Sequence, residues 1–340
     1  MIGISFYLRD ANAADRLRHA GRLGVKAAFT SLHIPEESGD LVEHAKQLLA
    51  LAHSLGIAVY ADVSRSTLGH LGIGTFEQLT ELGVAGLRLD DEFALETTVR
   101  LAKTFRIALN ASTVFATELR SLLDSGLQPE QLIGWHNFYP RRETGLDDQF
   151  FRKQTELFRS CGIPVAAFVP GAGEKRGPLF EGLPTLERHR TADPYAAAVE
   201  LWRGGVDTVY IGDPDPGEGV LERMTAFQQT GRLVLRIYSD TLGSGEYRLR
   251  PDLGRDVLRF MDTRSAVPIP PQETLARPRG TLTRDNELYG RYCGELQIAR
   301  TDLPADERVN VVGRVCPADL PLLDLLEPGA KVYLEAIPHS

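Results

Sequence analysis

Asp62 in the stretch YADVS and Asp90 in LRLDDEF each close a short apolar run. If such a run is a strand that empties into a pocket, its terminal carboxylate is placed for chemistry. Two acids of this kind suit cleavage of a glycosidic bond: one protonates the departing oxygen while the other attacks, activates water or stabilises positive charge at the anomeric carbon. Arg88 stands two residues before Asp90, hence on the same side of a strand, where its charge favours the ionised aspartate. Asp90 is therefore the expected nucleophile or base, and Asp62, or the loop residue Glu181, the expected acid. The plainer alternative for either aspartate is a cap on the helix that follows. Asp91 and Glu92 read as solvated acids of a loop or first helical turn.

A second concentration of chemistry is WHNFYPRRETGL, residues 135 to 146. On an extended strand His136 and Phe138 face one way and Asn137 and Tyr139 the other, so they cannot all enter one pocket. Pro140 ends the ladder. Arg141 and Arg142 then lie on a loop, where planar guanidinium groups suit phosphate or carboxylate, unless they are a solvated surface pair. His33 is a candidate for a sugar hydroxyl, with a satisfied structural histidine as the alternative. Asn110 and Ser112 share one face of a strand and suit an acetamido or hydroxyl group, or simple bonding at a rim. Histidines show no HxH or HExxH spacing, and no GxGxxG or Walker loop follows an early strand, so neither a metal nor a cofactor is expected. The segment GAGEKRG has a phosphate-loop look but lacks the GK[ST] ending.

The elements that must position these groups follow from periodicity. Short apolar runs at 2 to 8, 27 to 34, 57 to 64, 85 to 90, 107 to 113, 132 to 139, 164 to 169 and 208 to 213 alternate with helical-period segments such as LVEHAKQLLALAHSLG. That alternation is the pattern of repeated βα units. Eight units predict an α/β chain with a (β/α)8 TIM barrel, whose sites lie at the C-terminal strand ends. The candidates from Asp62 to Arg142 fall there. A long loop rich in Gly, Pro and charge, PGAGEKRGPLFEGLPTLERHR, follows the seventh strand and exceeds ordinary βα connections. Beyond about residue 230 the runs LVLRIYSD, GTLTRD, GELQIAR, RVNVVGRV and AKVYLEAI predict a small all-β domain. The expected division is 1 to 230 and 231 to 340.

The 340 residues carry a formal charge of -8, with 43% hydrophobic and 25% charged residues. The acidic balance argues against a nucleic-acid or membrane partner, which clustered Lys and Arg would gather. The start MIGISFYLRD lacks the basic, apolar and cleavage segments of a secretory leader, and no run reaches the ~20 apolar residues of a membrane helix, so a cytoplasmic location is expected. Cys161, Cys293 and Cys316 are too scattered for a metal cluster and read as reduced packing residues.

Taken together, GISFYL, FTSLHIPEE, YADVS, GLRLD, LNAST, IGWHNFYPRRETGL and EGLPTLERHR, with RDNELYGRYCGELQI and DERVNVVGRV in the tail, resemble the 6-phospho-N-acetylmuramidase family nearly end to end. The resemblance implies a TIM barrel followed by a cyclophilin-like β-barrel domain. It also implies hydrolysis of N-acetylmuramic acid 6-phosphate-β-1,4-N-acetylglucosamine in peptidoglycan recycling. Such a phosphorylated amino-sugar disaccharide carries a phosphate and a lactyl carboxylate, which gives work to Arg141 and Arg142, and hydroxyl and acetamido groups for the Asn, His and Tyr side chains. Where the family is expected to read DVSP and LDEGF, this chain has DVSR and LDDEF, and Arg65 becomes a further candidate phosphate contact. Asn286, Tyr289 and Arg291 form a polar-aromatic motif suited to covering the barrel mouth, or to an internal turn of the small domain. Two other readings remain. One is a lyase or aldolase acting on a sugar phosphate, although no strand end shows a Schiff-base lysine. The other is a carbohydrate-binding protein without catalysis.

Overall fold

The computed structural model describes residues 1–32, 41–89 and 93–338. The chain divides into two compact units, Met1–Thr225 and Ala226–Ser340.

In the first unit eight parallel strands close into a barrel in chain order: β1 (Ile2–Ser5), β2 (Ala27–Ser31), β3 (Ala58–Val63), β4 (Val84–Leu89), β5 (Arg106–Asn110), β6 (Leu132–Trp135), β7 (Val165–Val169) and β8 (Thr208–Ile211). Strands such as VAAFV and AAFTS are buried at every position, because helices cover the outer face while side chains fill the inner one. The covering helices are α1 (Ala13–Arg22), α2 (Leu41–Ser54), α3 (Thr67–Leu71), α4 (Leu95–Leu101), α5 (Ala116–Asp124), α6 (Asp148–Ser160), α7 (Pro194–Arg203) and α8 (Val220–Thr230), the last ending across the division between the units. Helix α1 turns a narrow apolar stripe inward, burying Ala13, Leu17 and Ala20, spaced by about one helical turn, whereas α7 is buried along most of its length. Helix α6 starts where the Asp147 carboxylate accepts from the backbone N–H of Gln149 and Phe150, at 2.8 and 3.1 Å.

The barrel interior is aromatic. Phe29, Tyr60, Trp135, Phe168 and Tyr210 pack in one cluster, with the Trp135 and Tyr210 ring centres 4.3 Å apart. So many rings fit because small residues face them: a Cβ at Gly3 would lie 2.3 Å from the Tyr210 ring. Register then fixes what lies above this floor. Phe29 pairs with Tyr60, and two residues on, Ser31 pairs with Asp62 and Asp62 with Arg88. Side chains alternate along a strand, so Asp62 and Arg88 point the same way as the rings beneath them, into the mouth.

The sixth strand is shorter than its apolar run. It ends at Trp135 rather than 139, because from Asn137 onward the backbone bonds to loops: Asn137 N–H to Ser112 Oγ at 3.2 Å and Tyr139 N–H to the Pro184 carbonyl at 2.9 Å. Simple alternation therefore fails past His136, and Phe138 folds back onto Phe29 and Phe168.

The second unit is a mixed seven-stranded sheet made of β9 (Leu233–Tyr238), β10 (Gly245–Arg248), β11 (Val257–Arg259), β12 (Thr281–Asp285), β13 (Leu296–Ala299), β14 (Val309–Val315) and β15 (Lys331–Ala336). The order is β10-β15-β9-β14-β12-β13-β11, with β9 and β15 parallel. Five strands match the apolar runs. The other two, β10 and β11, are the edge strands and too short and polar to show a period. Short 3-10 helices at Glu287–Tyr292 and Pro317–Leu325 interrupt the sheet, so the unit is not wholly β. Among the described residues no helix is long and apolar enough to cross a membrane, and the three cysteines are unpaired.

Candidate active site

The mouth of the barrel is organised by two aspartates at strand exits. Asp62, at the end of β3, accepts from Arg88 Nη1 at 2.6 Å, and each of the two side chains is only 8% exposed. The other terminal nitrogen, Arg88 Nη2, donates to Asn137 Oδ1. Because guanidinium has no acceptor, that contact fixes which way the Asn137 amide points and leaves its Nδ2 as a donor. Asn137 is held in turn by its own backbone: its N–H donates to Ser112 Oγ, and its carbonyl accepts from Thr185 Oγ1 at 2.9 Å. Asn110 Oδ1 accepts the Ser112 N–H at 3.0 Å, a short-range turn that spends this oxygen locally. Asp62, Arg88, Asn137, Ser112 and Asn110 thus form one connected rim across the exits of β3 to β6.

The opposite rim is built around Asp213, which follows β8 and is fully buried. Its carboxylate accepts the N–H groups of Gly171 at 3.0 Å, Arg176 at 3.0 Å and Leu183 at 3.3 Å, and Lys175 Nζ lies 3.8 Å away. One side chain therefore gathers three points of the long loop after β7. Tyr7, just past β1, donates its hydroxyl to the Gly212 carbonyl at 2.6 Å, and burial pushes its pKa up to about 12, so the phenol stays neutral. The Arg176 guanidinium lies 4.1 Å from the centre of the Tyr7 ring and 5.9 Å from that of Phe138.

A clamp joins the loops after β6 and β7. Glu187 accepts Arg190 Nε at 2.6 Å and Nη2 at 2.7 Å, together with the N–H groups of Glu143 at 2.9 Å and Gly145 at 2.7 Å. The Arg190 bonds, opposed by desolvation and aided by the two amides, hold the Glu187 pKa down at about 2. A Cβ at position 145 would lie 2.6 Å from Glu187 Oε2 and 2.7 Å from its backbone nitrogen, so glycine is needed there.

The remaining candidates fall in different places. His136 is fully buried on the far side of the barrel wall, its Nε2 3.1 Å from Thr155 Oγ1 and its ring 4.5 Å from that of Phe151, both on α6. Burial pushes its pKa down to about 3. Its expected role in substrate binding is corrected accordingly: the imidazole packs behind the wall and cannot reach a ligand in the mouth. Glu181 and Arg142 pair with each other, Nε to Oε1 at 3.1 Å, with the arginine 70% exposed; Arg141 is also exposed on this loop, and Tyr139 is half-buried beside it. Asn286 is fully buried in the second unit, where Nδ2 donates to the Glu307 carbonyl at 2.7 Å and Oδ1 accepts the Leu288 N–H, an internal turn. Tyr289 stacks with Arg308 and Arg291 with Tyr292 in the same unit. His33 and Asp90 lie outside the described residues. Among the described residues no group of three His, Cys, Asp or Glu is arranged to hold a metal.

Sequence reasoning did not single out Tyr7, Arg176 or Asp213. Asp213 had the same signal as Asp62, a carboxylate ending an apolar run, and Arg176 lies in the GAGEKRG segment.

Comparison with known proteins now adds to this geometry. The N-terminal model of 6-phospho-N-acetylmuramidase matches residues 2–226, and the C-terminal model matches residues 233–335. A conserved Enterococcus faecalis protein of unknown function is similar in structure, with 37% identity, a TM-score of 0.89 and coverage of 99% of this chain and 96% of its own. An uncharacterized B. cereus protein shows 28% identity and a TM-score of 0.78, with 99% of each chain covered. No curated protein matches.

Proposed function

The chain belongs to the 6-phospho-N-acetylmuramidase family, and on that premise we propose that it is a glycosidase that hydrolyses N-acetylmuramic acid 6-phosphate-β-1,4-N-acetylglucosamine. The reaction would take place in the cytoplasm, in peptidoglycan recycling, without a metal or cofactor. The observation that carries the reading is the buried Asp62–Arg88–Asn137 chain at the strand exits of a closed barrel.

Arg88 is permanently charged, and a carboxylate 2.6 Å from it is favoured in the ionised form. Asp62 therefore acts as the carboxylate, attacking the anomeric carbon, activating water or stabilising its positive charge, and not as the proton donor that the sequence pattern assigned to it. Glu181, on the loop after β7, pairs with Arg142 Nε at 3.1 Å. The proton donor is then one of the two remaining acids, Asp90 or Glu181. Asn137 Nδ2 offers a hydrogen bond to a sugar hydroxyl or acetamido carbonyl. Asn110, Ser112 and Tyr139 complete the polar rim, and Arg141 and Arg142 line its outer edge. The seven-stranded unit is the family's cyclophilin-like domain, a reading supported by the C-terminal match over residues 233–335.

Purified protein should release N-acetylglucosamine from the phosphorylated disaccharide. Asp62→Asn and Asp90→Asn should each lower kcat by about 10²- to 10⁴-fold, the range for a positioned acid or base, while substrate still binds. A wild-type protein inert toward this disaccharide, or full turnover by Asp62→Asn, would end the proposal.

A further inference from the structure

We infer that Arg176, in the loop after β7, is the residue that selects the phosphorylated substrate, by receiving its phosphoryl group on a guanidinium held over the Tyr7 ring. The inference rests on the hydrolase reading above and assigns to one side chain the specificity that reading leaves unassigned.

The argument starts from where the charges around Arg176 are spent. Its side chain is half-buried and lies against two aromatic faces. Charges removed from water in this way are normally met by a counter-charge. Among the described residues no carboxylate stands within 4.0 Å of this guanidinium. The nearby acids are all engaged elsewhere. Asp213 takes three backbone amides and Lys175. Glu174 turns to Arg16 at 3.2 Å, and Asp215 reaches the same arginine at 3.3 Å and the Gly217 N–H at 2.9 Å. The loop therefore carries its own anions away from Arg176 and leaves one cation facing the mouth.

The position is also fixed. The Arg176 N–H is anchored to buried Asp213, and the Tyr7 hydroxyl is anchored to Gly212, so both backbone and stacking partner are set before a ligand arrives. A planar fork held in this way matches two oxygens of a phosphoryl group. Phe138, the second ring near Arg176, directly follows Asn137, the residue bonded to Arg88. A sugar ring resting on Phe138 can thus present its anomeric carbon to Asp62 and its 6-substituent to Arg176. Arg142, by comparison, is largely exposed and already paired with Glu181.

The experiment compares wild type, Arg176→Gln and Arg176→Lys on the phosphorylated and unphosphorylated disaccharides. In Arg176→Gln the ratio of kcat/KM between the two substrates should fall about 10- to 100-fold, mostly through KM, as expected for a lost charge-assisted fork. Arg176→Lys should restore part of the ratio. An unchanged ratio in Arg176→Gln, or an equal fall on both substrates, overturns the inference while leaving the hydrolase reading in place. A phosphorylated disaccharide lacking the lactyl group separates the two anions of the substrate. Loss of the Arg176→Gln effect on that compound would move the guanidinium to the carboxylate and overturn the phosphoryl assignment. Should wild type cleave neither disaccharide, the hydrolase reading fails. Calorimetry with glucosamine 6-phosphate then decides the inference: binding lost in Arg176→Gln supports it, and undiminished binding overturns it.

Discussion

Both rims of the barrel mouth carry a buried aspartate with an arginine close by in the fold, and they join them in opposite ways. On the β3–β6 rim Asp62 meets Arg88 head on, so the two charges are joined directly in a buried pair. On the β8–β1 rim Asp213 spends its oxygens on the amides of a loop, including that of Arg176, and the arginine keeps its charge for the mouth. The same two residue types thus make a fixed carboxylate in one place and an available cation in the other. What differs is the acceptor's first choice: side-chain guanidinium, or backbone N–H.

That contrast can be broken experimentally, and the largest effects should come from its two anchors. Asp62→Ala removes the carboxylate that buried Arg88 meets at 2.6 Å, which should cost about 3 to 5 kcal/mol in denaturant unfolding as well as ending turnover. Asp213→Ala strips three amides of their acceptor and should cost about 2 to 4 kcal/mol. Its signature should be different: the preference for the phosphorylated substrate should fall further than kcat. If both variants lose kcat alike, the two rims do not divide the work as described.

His136 sharpens the comparison from behind the wall. Its folded pKa of about 3 lies below the ordinary 6.5, so between those values the unfolded chain binds a proton that the folded one refuses. Stability should therefore decline as pH falls from about 6.5 toward 3, by up to about 1.4 kcal/mol per pH unit. His136→Gln should flatten that slope in chemical denaturation, with little change in selectivity between the two substrates.

Tyr7→Leu removes the stacking surface beneath Arg176 but not its charge, and should reduce the preference for phosphorylated substrate by about 2- to 10-fold, in line with a cation–π contact. The smallest effect belongs to the second unit. Asp285 is pushed up to about 7 by burial and by the charge of Glu295. A raised carboxylate pKa costs stability as pH rises from about 4 to 7, so Asp285→Asn should stabilise the protein modestly at pH 8 and not at pH 3.5 in thermal melts. Catalysis should be indifferent to it.

The eight barrel strands were legible because each is a short, mostly buried apolar run, a signal that survives without any tertiary information. Asp62 and Arg88 were each legible as strand-end residues of the mouth because strand parity carries over from sequence to space, but their pairing was not: the sequence set Arg88 beside Asp90, and the register of β3 against β4 sets it opposite Asp62. His136 was misplaced by a different cause. Alternation says which residues share a face, and only the packing of α6 against the wall decides which face is outside. Arg176 was hidden because its role depends on where Asp213, Glu174 and Asp215 direct their oxygens, and loop hydrogen bonding has no period to read. The edge strands β10 and β11 escaped for want of length.

Asp213 draws in the long loop at Gly171, Arg176 and Leu183, and between the last two lies a tip where Leu179 and Phe180 turn outward, while Glu181 and Gly182 are tied to Arg142 and Arg190. Growth or replacement of that tip can proceed without disturbing either anchoring point. It is therefore the natural place for related proteins to diverge in length and sequence while the bonds beneath stay constant.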